Sequence, residues 1–188
     1  MKRGPFPLSL RFDDLYSVEI SASPRPEAVR REILDFWHAE QALPPAVNPE
    51  TREPHVIALA RHRASGAVTG IGSAISSRLP QIHSHVWQFR TYVSREHRKY
   101  ELASRLAEIT RDHLNQNFVR ALTAGENPAE IGMYIVFESE ILHKTNNFAV
   151  LPATQLVYIG PNALGMRQYI FYFDDARVAV RPVAGVRG

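Results

Sequence analysis

The stretch VSREHRKYELASRL, from Val93 to Leu106, joins the end of an apolar segment to a basic turn and an amphipathic segment. The residues before it, from His83, alternate between apolar and polar in the manner of a strand. Apolar residues recur with helical spacing from near Lys99 or Tyr100 onward. The stretch therefore predicts a strand, a short turn and a helix. Four basic residues lie within five positions of the turn: Arg95, His97, Arg98 and Lys99.

Further strands and helices are predicted on either side of this junction. It is preceded by an alternating strand over Leu15–Ala22 and by a helix whose apolar residues run from Val29 to Trp37 and which Pro44-Pro45 stops. A polar, proline-punctuated loop, PAVNPETREP, and a hairpin turning at Arg63–Gly66 come next. A continuous apolar strand, GMYIVFES, a short helix-like segment, EILHKTNNFAV, and a final hairpin turning at PNALG follow it. This order predicts a mixed α/β fold, with a single sheet of about seven strands and helices on both faces.

Length and composition are those of an ordinary globular protein. The chain has 188 residues, of which 45% are hydrophobic and 22% charged. That length is enough for one domain with its own core and is short for two. We expect a single domain over residues 1–188, with its core between about Leu15 and Asp174.

Charge and residue usage argue against several classes of protein. The net charge of +3, from 22 basic and 19 acidic residues, is small for a nucleic-acid-binding protein. No apolar run reaches the roughly 18 residues that a membrane span needs. The absence of cysteine excludes disulfides and thiolate metal sites and is compatible with a reducing compartment. We therefore expect a soluble cytoplasmic protein without a membrane span, and nucleic acid is not the expected partner.

The element order and the segment FRTYVSREHRKYELASRL resemble the GNAT superfamily of N-acyltransferases, over roughly Leu15 to Asp174. The family motif is Gln or Arg, two residues, Gly, one residue, then Gly or Ala. It falls here on Arg98-Lys99-Tyr100-Glu101-Leu102-Ala103, so the first and last positions match and Glu101 replaces a glycine. The physical basis of such a motif is a helix start, whose unpaired N–H groups and dipole attract a phosphate.

The resemblance implies an acyl donor: acetyl-CoA, a longer acyl-CoA, or the phosphopantetheine of an acyl carrier protein, which the related autoinducer synthases and N-acyl amino acid synthases use. Glu101 leaves three interpretations open. Its carboxylate turns aside, or pairs with Arg105, and coenzyme A still binds. Alternatively the donor is a carrier-protein phosphopantetheine, whose single phosphodiester demands less of the turn. In the third interpretation donor binding has been lost and Glu101 only favours the helix start.

The resemblance also implies roles for particular residues around the turn. A backbone N–H near the end of the fourth strand, at Tyr92 or Val93, would meet the thioester carbonyl in the space where the family's fourth and fifth strands separate. Arg95, Arg98 and Lys99, with His97, would pair with phosphate. The first helical turn would contribute two further binding residues, Ala103 and Ser104.

Acyl transfer to a small-molecule amine needs a base for the amine and an acid for the leaving thiolate. Glu138, at the end of the buried strand where the family often has a carboxylate, and His143 are the candidates, and the same two interpretations apply to Glu140 as to Glu138. A solvated strand end and a structural histidine are the alternative interpretations. The family's tyrosine acid has no counterpart near Asn146-Asn147-Phe148. Three tyrosines of the last hairpin could substitute only if they point inward, and otherwise pack across strands: Tyr158, Tyr169 and Tyr172.

Three other features carry weaker predictions. His83 and His85, on one face of a strand, lack a third ligand with recognisable spacing, so we expect no metal. The motif Gly70-Ile71-Gly72 lacks the context of a dinucleotide-binding loop and indicates a bulge or close packing. The aromatic, strand-prone sequence YIFYF near the C-terminus makes a homodimer through the last strands plausible.

The sequence thus supports one leading function and two alternatives. The leading prediction is an N-acyltransferase that uses a coenzyme A or carrier-protein thioester and an amine acceptor. The first alternative is a non-catalytic GNAT-like binding protein that has lost donor binding. A small basic protein acting on nucleic acid is the third possibility, for which the modest charge gives little support.

Overall fold

The computed structural model describes residues 12–21, 24–98, 101–138 and 147–178. Its helices are α1 (Phe12–Leu15), α2 (Glu27–Glu40), α3 (Pro49–Arg52) and α4 (Leu102–Thr123). Its strands are β1 (Tyr16–Ile20), β2 (Val56–His62), β3 (Val68–Leu79), β4 (Ser84–Val93), β5 (Glu130–Val136), β6 (Val157–Pro161) and β7 (Arg167–Tyr172). Short 3-10 turns lie at Glu53–His55, Pro80–Ile82 and Arg95–His97.

The seven strands form one sheet in the order β1-β2-β3-β4-β5-β7-β6. Strands β1 and β2, β2 and β3, β5 and β7, and β6 and β7 pair antiparallel. Strands β4 and β5 pair parallel, with Trp87 opposite Met133 and Gln88 opposite Tyr134. The predicted seven-stranded mixed sheet is confirmed. The position of β7 between β5 and β6 was not part of the prediction.

The chain divides into two compact units, Met1–Ala74 with Phe89–His113, and Ile75–Gln88 with Leu114–Gly188. The single domain over residues 1–188 stays a prediction. Within the described ranges, no helix has the length and apolar composition needed to cross a membrane.

Helices cover both faces of β3 in the first unit. A Cβ atom built on Gly70 would lie 3.0 Å from Cδ1 of Leu106, and one on Gly72 would lie 3.2 Å from Oγ1 of Thr110, so α4 packs against this face. Neighbouring strand residues point to opposite faces. Ile71 accordingly packs on the other face with side chains of α2: Ile33, Phe36 and Trp37. The two glycines therefore permit close packing of α4, as predicted.

A register shift between β2 and β3 lies next to these glycines. Ala60 is opposite Gly70, whereas the next residue, Arg61, is opposite Val68, so Thr69 is the extra residue of a β-bulge. The hydroxyl of Thr69 donates to the carbonyl of Ala60 at 3.2 Å, which holds the bulge in place. The predicted bulge and the predicted close packing both occur at this motif.

Thr110 carries a buried hydroxyl on α4. Its side chain is 0% exposed, and within the described part of the chain its Oγ1 has no hydrogen-bond partner. We expect Thr110→Val, which keeps the shape and removes the hydroxyl, to raise the free energy of unfolding by about 1 kcal/mol, measured by urea denaturation. Thr123→Val is the matched control, because the exposed Thr123 hydroxyl donates to the carbonyl of Val119 at 2.8 Å. A loss of stability in Thr110→Val would contradict this expectation.

An ion pair with low exposure joins Arg25, two residues before α2, to the turn before β2. Nη1 of Arg25 lies 2.6 Å from Oε1 of Glu53, with side-chain exposures of 2% and 8%. The same guanidinium donates to the hydroxyl of Ser21 at 2.8 Å and to the carbonyls of Ser21, Glu53 and Val56. All five N–H groups of Arg25 therefore have acceptors. The sequence contains no local signal for this contact between residues 28 positions apart.

The second unit has a core of its own around β5. Five residues of this strand, from Ile131 to Ile135, are buried, as expected for a strand covered on both faces. The core cluster contains Leu79, Val86, Ile131, Tyr134 and Ile170. The final hairpin, β6 and β7, is present as predicted.

The outer side of β6 is partly bonded by the chain itself. The N–H of Tyr158 donates to the carbonyl of Ala149 at 2.8 Å, and the N–H of Leu151 donates to the carbonyl of Leu156 at 2.9 Å. Val150 and Val157 form an isolated antiparallel bridge. Residues 149–151 thus lie along part of the outer side of β6.

Three predicted boundaries need correction. His83 does not lie on the strand: β4 begins at Ser84, and His83 has a left-handed φ of 52° after the turn Pro80–Ile82. Helix α2 ends at Glu40, before the predicted stop at Pro44-Pro45, because Gln41 adopts a left-handed φ of 50°. The predicted loop PAVNPETREP contains the helical turn α3, which Asn48 caps by accepting from the N–H of Glu50. The predicted segment EILHKTNNFAV lies mainly outside the described residues.

Candidate functional site

The junction between β4 and α4 forms the candidate site. Strand β4 ends at Val93, a 3-10 turn covers Arg95–His97, and the described part of α4 begins at Leu102. The carbonyl of Glu101 accepts the N–H of Arg105 at 3.1 Å, which makes Glu101 the residue that precedes the helix. The N–H groups of the next three residues have no acceptor among the described residues: Leu102, Ala103 and Ser104. A helix start of this kind attracts anions.

Glu101 has a backbone φ of 56°, in the left-handed region. A residue with a Cβ atom adopts this conformation at a cost of roughly 1–2 kcal/mol, whereas glycine adopts it freely. This backbone geometry supplies a second reason for glycine at this motif position, besides close approach of a phosphate. Sequence reasoning missed it because φ is not readable from the residue that is present.

The Glu101 side chain is exposed and has no ion pair within the described ranges. The predicted pairing with Arg105 is not found, because Nη1 of Arg105 lies 2.6 Å from Oε2 of Glu108 instead. The carboxylate is therefore exposed to solvent at the start of α4.

The basic residues of the turn divide into two groups. Nε of Arg98 donates to the carbonyl of Val93 at 3.1 Å, and its guanidinium carbon lies 5.3 Å from the centre of the Tyr92 ring. Arg98 therefore ties the turn back to the strand end. The Arg95 side chain is exposed, while its backbone N–H donates to Oε2 of Glu40 at 3.3 Å. Lys99 lies outside the described residues.

His97 belongs to an aromatic cluster that sequence reasoning missed. Nδ1 of His97 lies 2.7 Å from the hydroxyl oxygen of Ser94. Its ring centroid lies 5.6 Å from that of Tyr16 and 5.8 Å from that of His62. These contacts fix the turn against β1 and β2, so His97 has a structural role besides any contact with a ligand.

The two predicted backbone donors face different sides of β4. The N–H of Ser94 donates to the carbonyl of Thr69 on β3 at 2.9 Å. Because N–H groups alternate in direction along a strand, the N–H of Tyr92 also faces β3, and the N–H of Val93 faces away from it. The last pair in the register of β4 with β5 is Gln88 with Tyr134, although β4 continues to Val93. The N–H of Val93 therefore does not bond to β3, and its role as a donor to a ligand stays a prediction.

Tyr92 instead anchors α2 through its side chain. Its hydroxyl donates to the carbonyl of Glu40 at 3.0 Å, and its ring meets that of Phe36 edge-on, with 6.0 Å between centroids. Together with the N–H of Arg95, which donates to the Glu40 carboxylate, this contact attaches the end of α2 to the turn.

The candidate acid and base residues are only partly described. Glu138 is exposed, two residues beyond the end of β5, and His143 and Glu140 lie outside the described residues. Tyr169 is buried at 1% exposure, packs 4.9 Å from the Phe137 ring, and donates to the carbonyl of Phe148 at 3.2 Å. Tyr158 and Tyr172 are exposed by 40% and 39%. Tyr169 therefore packs in the core, as the alternative interpretation held.

The described residues contain no group of three or more histidine or acidic side chains that could hold a metal ion. His85 is exposed and lies opposite Glu130 in the pairing of β4 with β5.

No protein-family model matches the sequence, and no curated protein matches it. Solved structures share the fold. The ribosomal-protein-S5-alanine acetyltransferase from Vibrio fischeri has a TM-score of 0.51 and 13% identity, over 86% of this chain and 95% of that one. A GNAT-family acetyltransferase from Streptococcus pneumoniae has a TM-score of 0.44 and 10% identity, over 85% of this chain and 99% of that one. An aminoglycoside 6'-N-acetyltransferase complexed with coenzyme A has a TM-score of 0.46 and 14% identity, over 89% of this chain and 99% of that one. The chain has a GNAT-type fold, which confirms the predicted architecture.

Proposed function

We propose that this protein is an N-acyltransferase that moves an acyl group from a coenzyme A or carrier-protein thioester to an amine. The observation that carries the proposal is the start of α4, directly after β4 in a GNAT-type fold, where three N–H groups have no acceptor among the described residues. The acetyltransferase from Vibrio fischeri, which shares the fold, supports acyl transfer as the reaction class.

The donor would be held by its phosphate and by its carbonyl. The N–H groups of Ala103 and Ser104, the helix dipole and the exposed Arg95 side chain would bind phosphate. Lys99 and Arg98 add positive charge to the same turn. The N–H of Val93 would donate to the thioester oxygen, where negative charge develops as the amine attacks.

The chemical step is addition of the amine nitrogen to the thioester carbon, followed by loss of the thiolate. The new C–N bond forms as the C–S bond breaks, one amine proton passes to a base, and the thiolate takes up a proton. We assign the base to Glu138, with His143 as a second acid–base group. Both assignments are proposals that follow from the resemblance.

A specific observation favours the alternative, a GNAT-like binding protein that has lost its donor. The exposed Glu101 carboxylate has no ion pair within the described ranges, so it would repel a diphosphate. A carrier-protein phosphopantetheine, with a single phosphodiester, would be repelled less. Donor binding is therefore the property that separates these possibilities.

We expect coenzyme A, acetyl-CoA or a longer acyl-CoA to raise the melting temperature. A ligand present at 100 times its dissociation constant contributes about 2.7 kcal/mol, which is roughly 5–10 °C for a chain of this size. Differential scanning fluorimetry with these three donors and with 4'-phosphopantetheine measures the effect. A shift with phosphopantetheine alone would favour a carrier-protein donor, and no shift with any of them would favour the non-catalytic alternative.

A charge-matched pair of variants localises the binding. Ser104→Asp adds a carboxylate to the first turn of α4, and we expect it to weaken the shift caused by coenzyme A. Ala28→Asp adds the same charge to the first turn of α2, where Ala28 is exposed, and should leave the shift unchanged. Both variants should fold, since an acidic residue in a first turn favours the helix. Equal effects of the two substitutions would contradict binding at α4.

The proposal includes a cytoplasmic location and a homodimer through the last strands. The side chains of Val157 and Tyr158 on β6 are 44% and 40% exposed, on opposite faces of the strand, so each face of β6 has one exposed apolar side chain that would contact a second copy.

A further inference from the structure

Two arginines of the first unit lie close to each other near the end of β4. Arg52 is the last residue of α3, and Arg90 lies on β4, three residues before Val93. The Arg52 side chain is half-buried and that of Arg90 is exposed. Neither residue belongs to the turn between β4 and α4, where the donor phosphate would bind.

Strand pairing places Arg90 in one row with the start of β2. Val56, the first residue of β2, lies opposite Ser73 of β3. The hydroxyl of Ser73 donates to the carbonyl of Arg90 at 3.4 Å, so Arg90 continues this row on β4. Only the turn Glu53–His55 separates α3 from Val56. Two strand spacings amount to about 10 Å, a distance that long arginine side chains can bridge.

The Arg90 side chain points to the face of the sheet that α2 covers. Side chains two residues apart on a strand share a face, and the Tyr92 ring packs edge-on against Phe36 of α2. Phe89 lies on the opposite face, because a Cβ atom built on Gly72 would lie 3.0 Å from its ring. Arg90, between Phe89 and Tyr92, therefore extends on the α2 side of the sheet.

Helix α3 lies on the same side, and its acidic neighbours are paired with other arginines. Glu50 of α3 forms an ion pair with Arg30 of α2, which places the two helices side by side. Glu53 pairs with Arg25 at 2.6 Å. Within the described ranges the Arg52 side chain has neither an ion pair nor a hydrogen bond. No carboxylate of this part of the chain therefore compensates the charge of Arg52.

The two guanidinium groups repel each other. Burial lowers the pKa of Arg52 below its ordinary value, and the positive charge of Arg90 lowers it further. Two like charges held close together cost free energy, which an anion between them would recover. A pair of cations that is unfavourable by itself and favourable with an anion is typical of a binding site.

We propose that Arg52 and Arg90 together bind the phosphate group of a small amine. Two guanidiniums supply two positive charges and paired N–H donors, which match a phosphate monoester better than a single carboxylate. Three strand residues span about 10 Å, so the amine of such a ligand would lie within reach of a thioester at Val93. The ligand would then be the acyl acceptor, a part of the inference that rests on the proposed function.

Isothermal titration of the full chain with O-phosphoethanolamine and longer aminoalkyl phosphates, without any acyl donor, tests the site. We expect at least one to bind, and the amino alcohol that lacks its phosphate to bind at least about tenfold more weakly. The amino carboxylate of matching length should also bind more weakly. The absence of binding up to about 10 mM, equal binding of the amino alcohol, or tighter binding of the carboxylate would overturn the proposal.

Variants distinguish this site from the start of α4, which would also attract phosphate. Arg52→Gln and Arg90→Gln should each weaken the affinity about tenfold, and Ser104→Asp should have the smaller effect. Arg31→Gln is the charge-matched control, at an exposed arginine of α2. A loss of affinity confined to Ser104→Asp would place the phosphate at α4 and overturn the assignment.

Thermal unfolding separates an anion site from a structural role of Arg52. Because Arg52 has no ion pair within the described ranges, Arg52→Gln should raise the melting temperature of the ligand-free protein by removing the repulsion from Arg90. The same substitution should abolish the stabilisation that an aminoalkyl phosphate gives. A lower melting temperature without ligand would show that Arg52 stabilises the fold and would count against the proposal.

Binding and acyl transfer fail separately in this design. Binding of an aminoalkyl phosphate that depends on Arg52, without any response to coenzyme A, would support the anion site and count against the proposed function. A response to coenzyme A with no binding of aminoalkyl phosphates would do the reverse.

Discussion

Replacing Arg25 with alanine should lower the free energy of unfolding by about 3–5 kcal/mol, because it leaves a buried carboxylate without its main ion-pair partner. Glu53 is 6% exposed, and its closest ion-pair partner is the Arg25 guanidinium at 2.6 Å. The substitution also removes donors from the carbonyls of Ser21 and Val56. Arg30 lies 3.9 Å from the second carboxylate oxygen and compensates only in part. For a chain of this length the loss corresponds to roughly 6–20 °C in melting temperature.

Urea denaturation of Arg25→Ala, Glu53→Ala and the double variant would measure this pair. The two single losses should not add, since each removes the same contact. Arg31→Ala is the matched control: Arg31 also pairs with a glutamate, Glu27 at 3.2 Å, but its side chain is 74% exposed, so we expect a loss below about 1 kcal/mol. A loss in Arg25→Ala no larger than in Arg31→Ala would show that the buried pair is not a stabilising element.

Replacing Glu101 with glycine should tighten coenzyme A binding about tenfold. A carboxylate roughly 6 Å from a phosphate costs about 0.7–2.8 kcal/mol per charge for an effective dielectric constant between 80 and 20. Glycine also adopts the left-handed φ of 56° freely and allows backbone to approach the ligand. Titration calorimetry of the wild type and the variant measures the change in dissociation constant.

Glu101→Gln separates the two causes. It removes the charge but keeps a side chain in the left-handed conformation, so tightening in both variants assigns the effect to charge. Tightening in Glu101→Gly alone assigns it to backbone approach. Unchanged or weaker affinity in both variants would show that Glu101 is not the obstacle to donor binding.

The fold was predictable wherever the pattern was local. The strand over β4, the turn and the apolar stripe of α4 follow from residue spacing, as does the buried strand β5. The insertion of β7 between β5 and β6 was not predictable, because periodicity gives the faces of a strand and not its neighbours. The Arg25–Glu53 pair was not predictable either, because local sequence patterns do not show which residues of separate elements meet.

The candidate site was predicted in position but not in conformation. The motif agrees with the start of α4 after Glu101, and anion binding there stays a prediction. The left-handed φ at Glu101 was not predictable, because it depends on backbone geometry that residue type does not encode. The direction of the Val93 N–H likewise depends on the register with β3, a long-range property.

The segment that lies along the outer side of β6 restricts how two copies could assemble. A strand of a second copy could pair with β6 only after Ala149 to Leu151 had moved away and their main-chain hydrogen bonds to β6 had broken. We therefore expect self-association to occur through apolar side chains on the faces of the sheet and not through strand pairing at its edge. The covered edge also disfavours edge-to-edge pairing of many copies into fibrils.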